Sequence, residues 1–224
     1  PSPYHTGDPR MRRAAAAYEA LTVRLFVDPP AGLGYPFGAT PLLRPLRRYI
    51  QEGDLERVRF DYDFQGLQYY GPLPLRRAPI PGLGAIPTRR AAEAEAMLTS
   101  AVGVPVEPGG LLEILRRYRN HPGCRRMILT ENGFGGWDRL EAGRVRDDLR
   151  IGYVKRHLES VLAARREGIP IDGYFYWSYA DNIEWLFGRD ARFGLVHVDY
   201  ENGCARTLKD SALWLRDFLA GREA

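Results

Sequence analysis

Ile128-Leu129-Thr130-Glu131-Asn132-Gly133 is a short apolar run that ends on a carboxylate and then on a turn pair. Arg126 to Thr130 has the length and character of a buried strand. Asn-Gly is a common turn dipeptide, so Asn132 and Gly133 read as the turn that follows. Working outward, Asp148 to Glu167 carries Ile151, Val154, Leu158, Val161 and Leu162 at helical spacing. Asp147 or Asp148 can cap that helix. Asp172 to Trp177 reads as the next strand. Thr207 to Asp210 has the form of a capping box opening a last helix, which carries Leu208, Leu215, Phe218 and Leu219 and stops at Gly221.

On the N-terminal side, Gly110 to Asn120 is amphipathic through Leu111, Leu112, Leu115 and Tyr118. Phe60 to Tyr70 reads as a strand in which Gly66 relieves crowding. Residues 10 to 27 read as a helix stopped by Asp28-Pro29-Pro30, and Leu43 to Gln51 as a short helix. Between them and the strand 126–130, prolines at 72, 74, 79, 81, 87, 105 and 108 mark a long connection over 71–110. At most a short helix, Arg90 to Thr99, interrupts it; a loop of that length in a compact domain is usually functional.

Strands alternating with helices imply a parallel α/β sheet in one domain spanning 1–224. In a (β/α) barrel, a carboxylate at the C-terminal end of a strand faces the active-site mouth. Three strands cannot close a barrel, because two edges stay unpaired. The chain of 224 residues is also short of the about 250 that a complete barrel usually takes.

Composition excludes several classes. Apolar residues make up 45% and charged residues 27%, as in ordinary globular proteins. The net charge of +4 is carried almost wholly by scattered arginine doublets such as Arg47-Arg48 and Arg165-Arg166. Nucleic-acid binding wants such charge on one face with stacking aromatics, so solvated helix faces are the better reading. Cys124 and Cys204 show no metal-ligand spacing and read as reduced, buried thiols. No run is long and apolar enough to span a membrane, and no signal peptide stands in the given sequence; the cytoplasm is taken only as the default compartment. The first residue is Pro1, so the natural start is expected upstream.

The chemistry-bearing residues gather in two places. Glu131 at a strand end is rigid enough to attack a substrate carbon, although Thr-Glu-Asn-Gly alone fits an exposed turn better. The second place is Tyr174-Phe-Tyr-Trp177-Ser-Tyr-Ala-Asp181-Asn182-Ile-Glu184-Trp185, followed by Arg192-Phe193-Gly194. Sugars have apolar faces and polar rims, which an indole and a carboxylate match. Trp177, Glu184 and Trp185 supply that mix, while Phe175 reads as core.

Together these segments resemble the C-terminal half of glycoside hydrolase family 1, the β-glucosidase family. The resemblance implies the C-terminal portion of a (β/α)8 TIM barrel, strands 6 to 8 with their helices, and a retaining β-glycosidase. It implies that Glu131 is the nucleophile and that Tyr70 hydrogen-bonds it. It further implies that Gln68, Trp177, Glu184, Trp185 and Phe193 bind a β-linked glycoside. Gln68-Tyr69-Tyr70 resembles the family's Asn-Tyr-Tyr, with glutamine where asparagine is usual. Asp28-Pro29, Gly34-Tyr35-Pro36 and Arg206 to Ser211 also follow the family's order. Val104 stands where tryptophan is usual on the leaving-group side. Intact Glu184-Trp185 argues against the 6-phosphoglycosidase branch.

Asn-Glu-Pro, which carries the family's acid/base glutamate, does not occur in this sequence. Nor do the His-Trp pair and the arginine of the family's early strands. General acid catalysis is typically worth about 10² to 10⁴ in rate. The chain alone is therefore expected to have little or no activity and to fold poorly, with a missing N-terminal half-barrel as its partner. The alternative is a catalytically inactive sugar-binding or interaction remnant. No cofactor or metal is expected, since two carboxylates and water suffice for this chemistry.

Overall fold

The structure, a computed structural model, describes residues 8–88, 98–122 and 124–222. Helix α1 (Pro9–Glu19) is capped by the Asp8 carboxylate on the Arg10 N–H. It runs through a π-turn, Ala20–Arg24, into α2 (Leu25–Val27). A 3-10 helix, Pro41–Tyr49, and α3 (Asp54–Val58) lead into β1 (Gln65–Gln68). The hairpin of β2 (Leu75–Arg77) and β3 (Ala85–Pro87) precedes α4 (Pro108–Tyr118) and β4 (Met127–Asn132). Then follow α5 (Asp148–Arg166), β5 (Ile171–Tyr176), the pair β6 (Val196–Asp199) and β7 (Ala205–Leu208), and α6 (Asp210–Leu219).

The central sheet is parallel, with order β1-β4-β5. Its buried face is covered by α4 and α5. Leu111 and Leu115 of α4 and Met127 and Leu129 of β4 are fully buried there, with Val161, Ala164 and Ile171 around them. Each such large apolar side chain contributes about 1.5–3 kcal/mol by leaving water. The other face is open. Gly66, Ile128, Gly173 and Phe175 lie on it, and Phe175 is 61% exposed. Phe175 is thus not core in this chain, because nothing among the described residues covers that face. Among the described residues β1 and β5 pair only with β4, so the sheet is open at both edges and no barrel closes.

Several local expectations are corrected. The 71–110 connection holds a two-stranded antiparallel hairpin, and its α1-facing side buries Leu75 and Ala85 against Met11, Ala14 and Ala15. The helix expected over Arg90 to Thr99 falls mostly outside the described residues. Strand β1 occupies only four residues of the stretch 60–70. Thr207 and Leu208 belong to β7, where Thr207 faces His197 across the pair, and so do not open the last helix. Lys209 holds the cap position of α6 without a side-chain cap, because its ammonium turns inward. Asp147 sits at the N-cap of α5, yet its carboxylate bonds Arg150 and Ser211 instead of the helix end. Cys124 is buried as expected, whereas Cys204 is exposed in the β6–β7 turn. No helix among the described residues is long and apolar enough to cross a membrane.

Candidate active site

Parallel pairing brings the sequence-predicted residues to one end of the sheet. Register slips by one residue between Leu67 and Gln68, so Gln68 pairs with Glu131 while Leu67 pairs with Leu129. The Tyr69 N–H donates to the Glu131 carbonyl at 3.0 Å, which fixes the two strand ends together. As a result both flanking side chains reach the same carboxylate. Gln68 Nε2 donates to Glu131 Oε1 at 2.7 Å, and Tyr70 Oη donates to Oε2 at 2.8 Å. Burial, then the bond to Glu131, push the Tyr70 phenol far above its ordinary value. It therefore keeps its proton and remains a donor at any working pH.

Asn132 was expected in a turn, but it is the last residue of β4 and is fully buried. Its amide donates to the Tyr69 carbonyl at 2.6 Å and to Tyr153 Oη at 2.8 Å, and its oxygen accepts from Tyr174 Oη at 2.6 Å. Tyr153 Oη in turn donates to the Tyr70 carbonyl at 2.9 Å. A buried amide must find partners or cost free energy, and here those partners lock the backbone on both sides of Glu131. Sequence reasoning missed this role, since a side chain after a strand's last apolar residue gives no sign of which way it points.

The aromatic wall follows from three close backbone approaches. The Trp177 N–H donates to the Asn132 carbonyl at 2.9 Å. A Cβ on Gly133 would stand 2.0 Å from the Trp177 carbonyl oxygen, so only glycine fits there. A Cβ on Gly135 would stand 2.8 Å from the Phe193 ring, which is how Phe193 reaches the site. Phe193 is buried and meets Tyr70 edge-on, centroids 5.9 Å apart and planes at 87°. Trp177 is 36% exposed.

The remaining predicted residues are less gathered. Glu184 opens a turn, its N–H bonded to the Gly188 carbonyl at 2.8 Å, and its charge is among those raising the Tyr70 phenol. Trp185 is 99% exposed and is not brought against the Glu131 group. Val104 lies beside Gly71, one residue past Tyr70, where a Cβ on the glycine would be 2.7 Å from Val104 Cγ1.

Comparison with known proteins matches the model of glycosyl hydrolase family 1 to residues 1–224. A bifunctional β-D-glucosidase/β-D-fucosidase of Bifidobacterium breve is 35% identical over 217 residues, covering 90% of this chain and 47% of that protein. A 1,4-β-D-glucan glucohydrolase of Thermotoga neapolitana is 33% identical, with 91% of this chain and 45% of that protein covered. Among solved structures, a β-glucosidase from Exiguobacterium marinum superposes with a TM-score of 0.87 at 31% identity, over 100% of this chain and 50% of the other. A psychrophilic β-glucosidase from Micrococcus antarcticus gives 0.86 at 30% identity, over 98% and 51%. This chain therefore spans about half the length of the relatives it matches, and about half of their TIM barrel. Matched to the family model from end to end, the chain belongs to glycosyl hydrolase family 1.

Proposed function

We propose that this chain is the strand-6-to-8 portion of a retaining β-glycosidase of the β-glucosidase type, and that Glu131 is its nucleophile. The observation that carries the reading is the double grip on Glu131, one donor on each carboxylate oxygen. Two fixed donors orient a carboxylate for in-line attack without neutralising it as a proton would. One oxygen attacks the anomeric carbon as the bond to the leaving oxygen breaks, giving a glycosyl ester; water then attacks that carbon and releases Glu131. Trp177 floors the sugar ring, Phe193 walls it, and Glu184 and Trp185 take the outer hydroxyls. The acid/base carboxyl comes from residues that this sequence does not contain, on the N-terminal half of a barrel whose edges would pair with β1 and β5. The absence of Asn-Glu-Pro favours one second reading, a sugar-binding remnant without turnover.

The test is covalent trapping with a 2-deoxy-2-fluoro-β-glucoside bearing a dinitrophenolate leaving group, which needs no acid. The chain is assayed alone and with the N-terminal half of the Thermotoga neapolitana relative. A mass adduct on Glu131, lost in Glu131→Gln, supports the enzyme reading. Sugar binding without an adduct under either condition favours the remnant, and neither binding nor adduct rejects both.

A further inference from the structure

The Arg206 to Ser211 stretch has no place in the sugar site as described, yet Lys209 within it is completely buried. Its Nζ donates to Asp138 Oδ2 at 2.5 Å and to Asp181 Oδ1 at 2.7 Å. Asp138 lies in the loop that follows Glu131, and Asp181 in the segment that follows Trp177. The Asp181 carboxylate also accepts from Arg192 Nη1 at 2.8 Å, the Gly194 N–H at 2.9 Å and the Val198 N–H at 3.3 Å. Two of those donors, Arg192 and Gly194, bracket Phe193. Arg150, likewise buried, bonds Asp138 and Asp147 and donates to the Phe134 carbonyl at 3.2 Å and the Arg192 carbonyl at 2.7 Å.

Three cations, Arg150, Arg192 and Lys209, thus face three carboxylates, Asp138, Asp147 and Asp181, and the cluster carries no net charge. Buried ion clusters are often no more stable than apolar side chains of the same volume. What such a cluster can add is a fixed geometry, because each charge tolerates few arrangements of its partners. Here the geometry in question is the spacing of two segments that carry Trp177 and Phe193 from the strand end that carries Glu131.

We propose that Lys209 is a positioning residue for the sugar site: by bridging Asp138 and Asp181 it sets where Trp177 and Phe193 stand relative to Glu131. Asp181 is ready for that bridge. Burial works against its charge, but Lys209 and Arg192 hold its carboxyl below the usual range. The proposal rests on reading the Glu131 site as a sugar site, and its test separates the two.

With the N-terminal half of the Thermotoga neapolitana relative present, the 224-residue chain is compared with Lys209→Met, with the charge-balanced Lys209→Met/Asp138→Asn, and with Lys155→Met, which removes an exposed lysine on α5. Amide hydrogen exchange is read by mass spectrometry over 177–181 and 192–199, and deoxynojirimycin affinity by calorimetry. Exchange in both segments should rise at least tenfold in the Lys209 variants while α4 and β1 stay protected, and affinity should fall at least tenfold. Lys155→Met should match the wild type in both. Wild-type exchange in Lys209→Met overturns the proposal. So does global unfolding of both Lys209 variants, which would make Lys209 a determinant of the fold alone. If the unmodified chain binds no iminosugar even with that N-terminal half present, the sugar reading fails, and the exchange data still decide what Lys209 holds in place.

Discussion

Gln68 Nε2 stands 2.7 Å from Glu131 Oε1, across two parallel strands that slip register by one residue to allow it. The longer arm of glutamine, where the family resemblance implies asparagine, spends its amide on the Glu131 carboxylate. Tyr70 holds the other oxygen. The two contacts are separable by mutation. Tyr70→Phe removes one hydrogen bond to a charged group, worth about 1.5–3 kcal/mol. Adduct formation with the fluoro-glucoside should slow roughly tenfold to a hundredfold. Gln68→Leu should slow it by a comparable factor, whereas a Gln68 devoted only to the sugar would weaken ligand binding and leave the rate of the saturated complex unchanged. Single-turnover rates and half-saturation concentrations distinguish these outcomes.

Asn132 offers a stability test of the same strand end. Replacement by alanine deletes two buried hydrogen bonds and a third that is partly buried, and leaves Tyr153, Tyr174 and the Tyr69 carbonyl short of a partner. Each buried group left unsatisfied costs about 1–3 kcal/mol. Asn132→Ala should therefore lower the urea midpoint by an amount equivalent to about 3 kcal/mol or more, and Asn132→Asp should not restore it, because a carboxylate cannot donate to the Tyr69 carbonyl. A midpoint within experimental error of the wild type would show that the network relaxes around the gap.

Much of this arrangement could be read before the structure. The helix over 148–166 announces itself by its apolar spacing, and Glu131 and Trp177 stand at strand ends marked by flanking turn residues. Strand ends that meet in a parallel sheet also bring Gln68 and Tyr70 toward Glu131. The antiparallel pairs β2–β3 and β6–β7 escaped because three- and four-residue strands give no periodicity above noise. Thr207 misled for a related reason. Its spacing to Asp210 fits a cap, but pairing with His197 and the inward pull on Lys209 prevail. Phe175 shows the limit of pattern alone: its place on a strand marks it as interior, yet that interior needs a second wall, and this chain leaves Phe175 61% exposed.

Gly133 is the position where a single methyl should matter. Its missing Cβ would fall 2.0 Å from a backbone oxygen, that of Trp177, which cannot rotate away as a side chain would. Gly133→Ala must push β4's exit from β5's exit. Overpacking of this kind typically costs about 1–3 kcal/mol. The same displacement shifts Trp177 relative to Glu131, so if Trp177 floors the sugar as proposed, the variant's tryptophan emission should lose its response to deoxynojirimycin. Gly143→Ala is a matched control in the loop after β4. Nothing lies within 4 Å of its Cβ position, and its φ of +77° brings only local backbone strain. Equal behaviour of the two variants would count against the close approach.

His157 makes the fold's pH dependence predictable. It is fully buried on α5, its ring stacked on Tyr153 at 3.8 Å between centroids and its Nδ1 2.8 Å from the Tyr153 carbonyl. Among the described residues its Nε2 has no partner. Burial pulls the ring from an ordinary 6.5 down to about 4. The folded state thus holds the neutral ring, while the unfolded chain takes up a proton as pH falls through 6.5. Stability from this group is complete above pH 6.5, is lost progressively between 6.5 and 4, and changes no further below. The full loss is about 3 kcal/mol. Because Tyr153 bonds both Asn132 and the Tyr70 carbonyl, the strand end that carries Glu131 should loosen with it. His157→Phe keeps a flat ring on Tyr153 and cannot titrate, so its urea midpoint should fall much less than the wild type's between pH 7 and pH 5. The residual slope belongs partly to His197, which burial also lowers. Parallel slopes for wild type and variant would mean that His157 takes its proton without unfolding the chain.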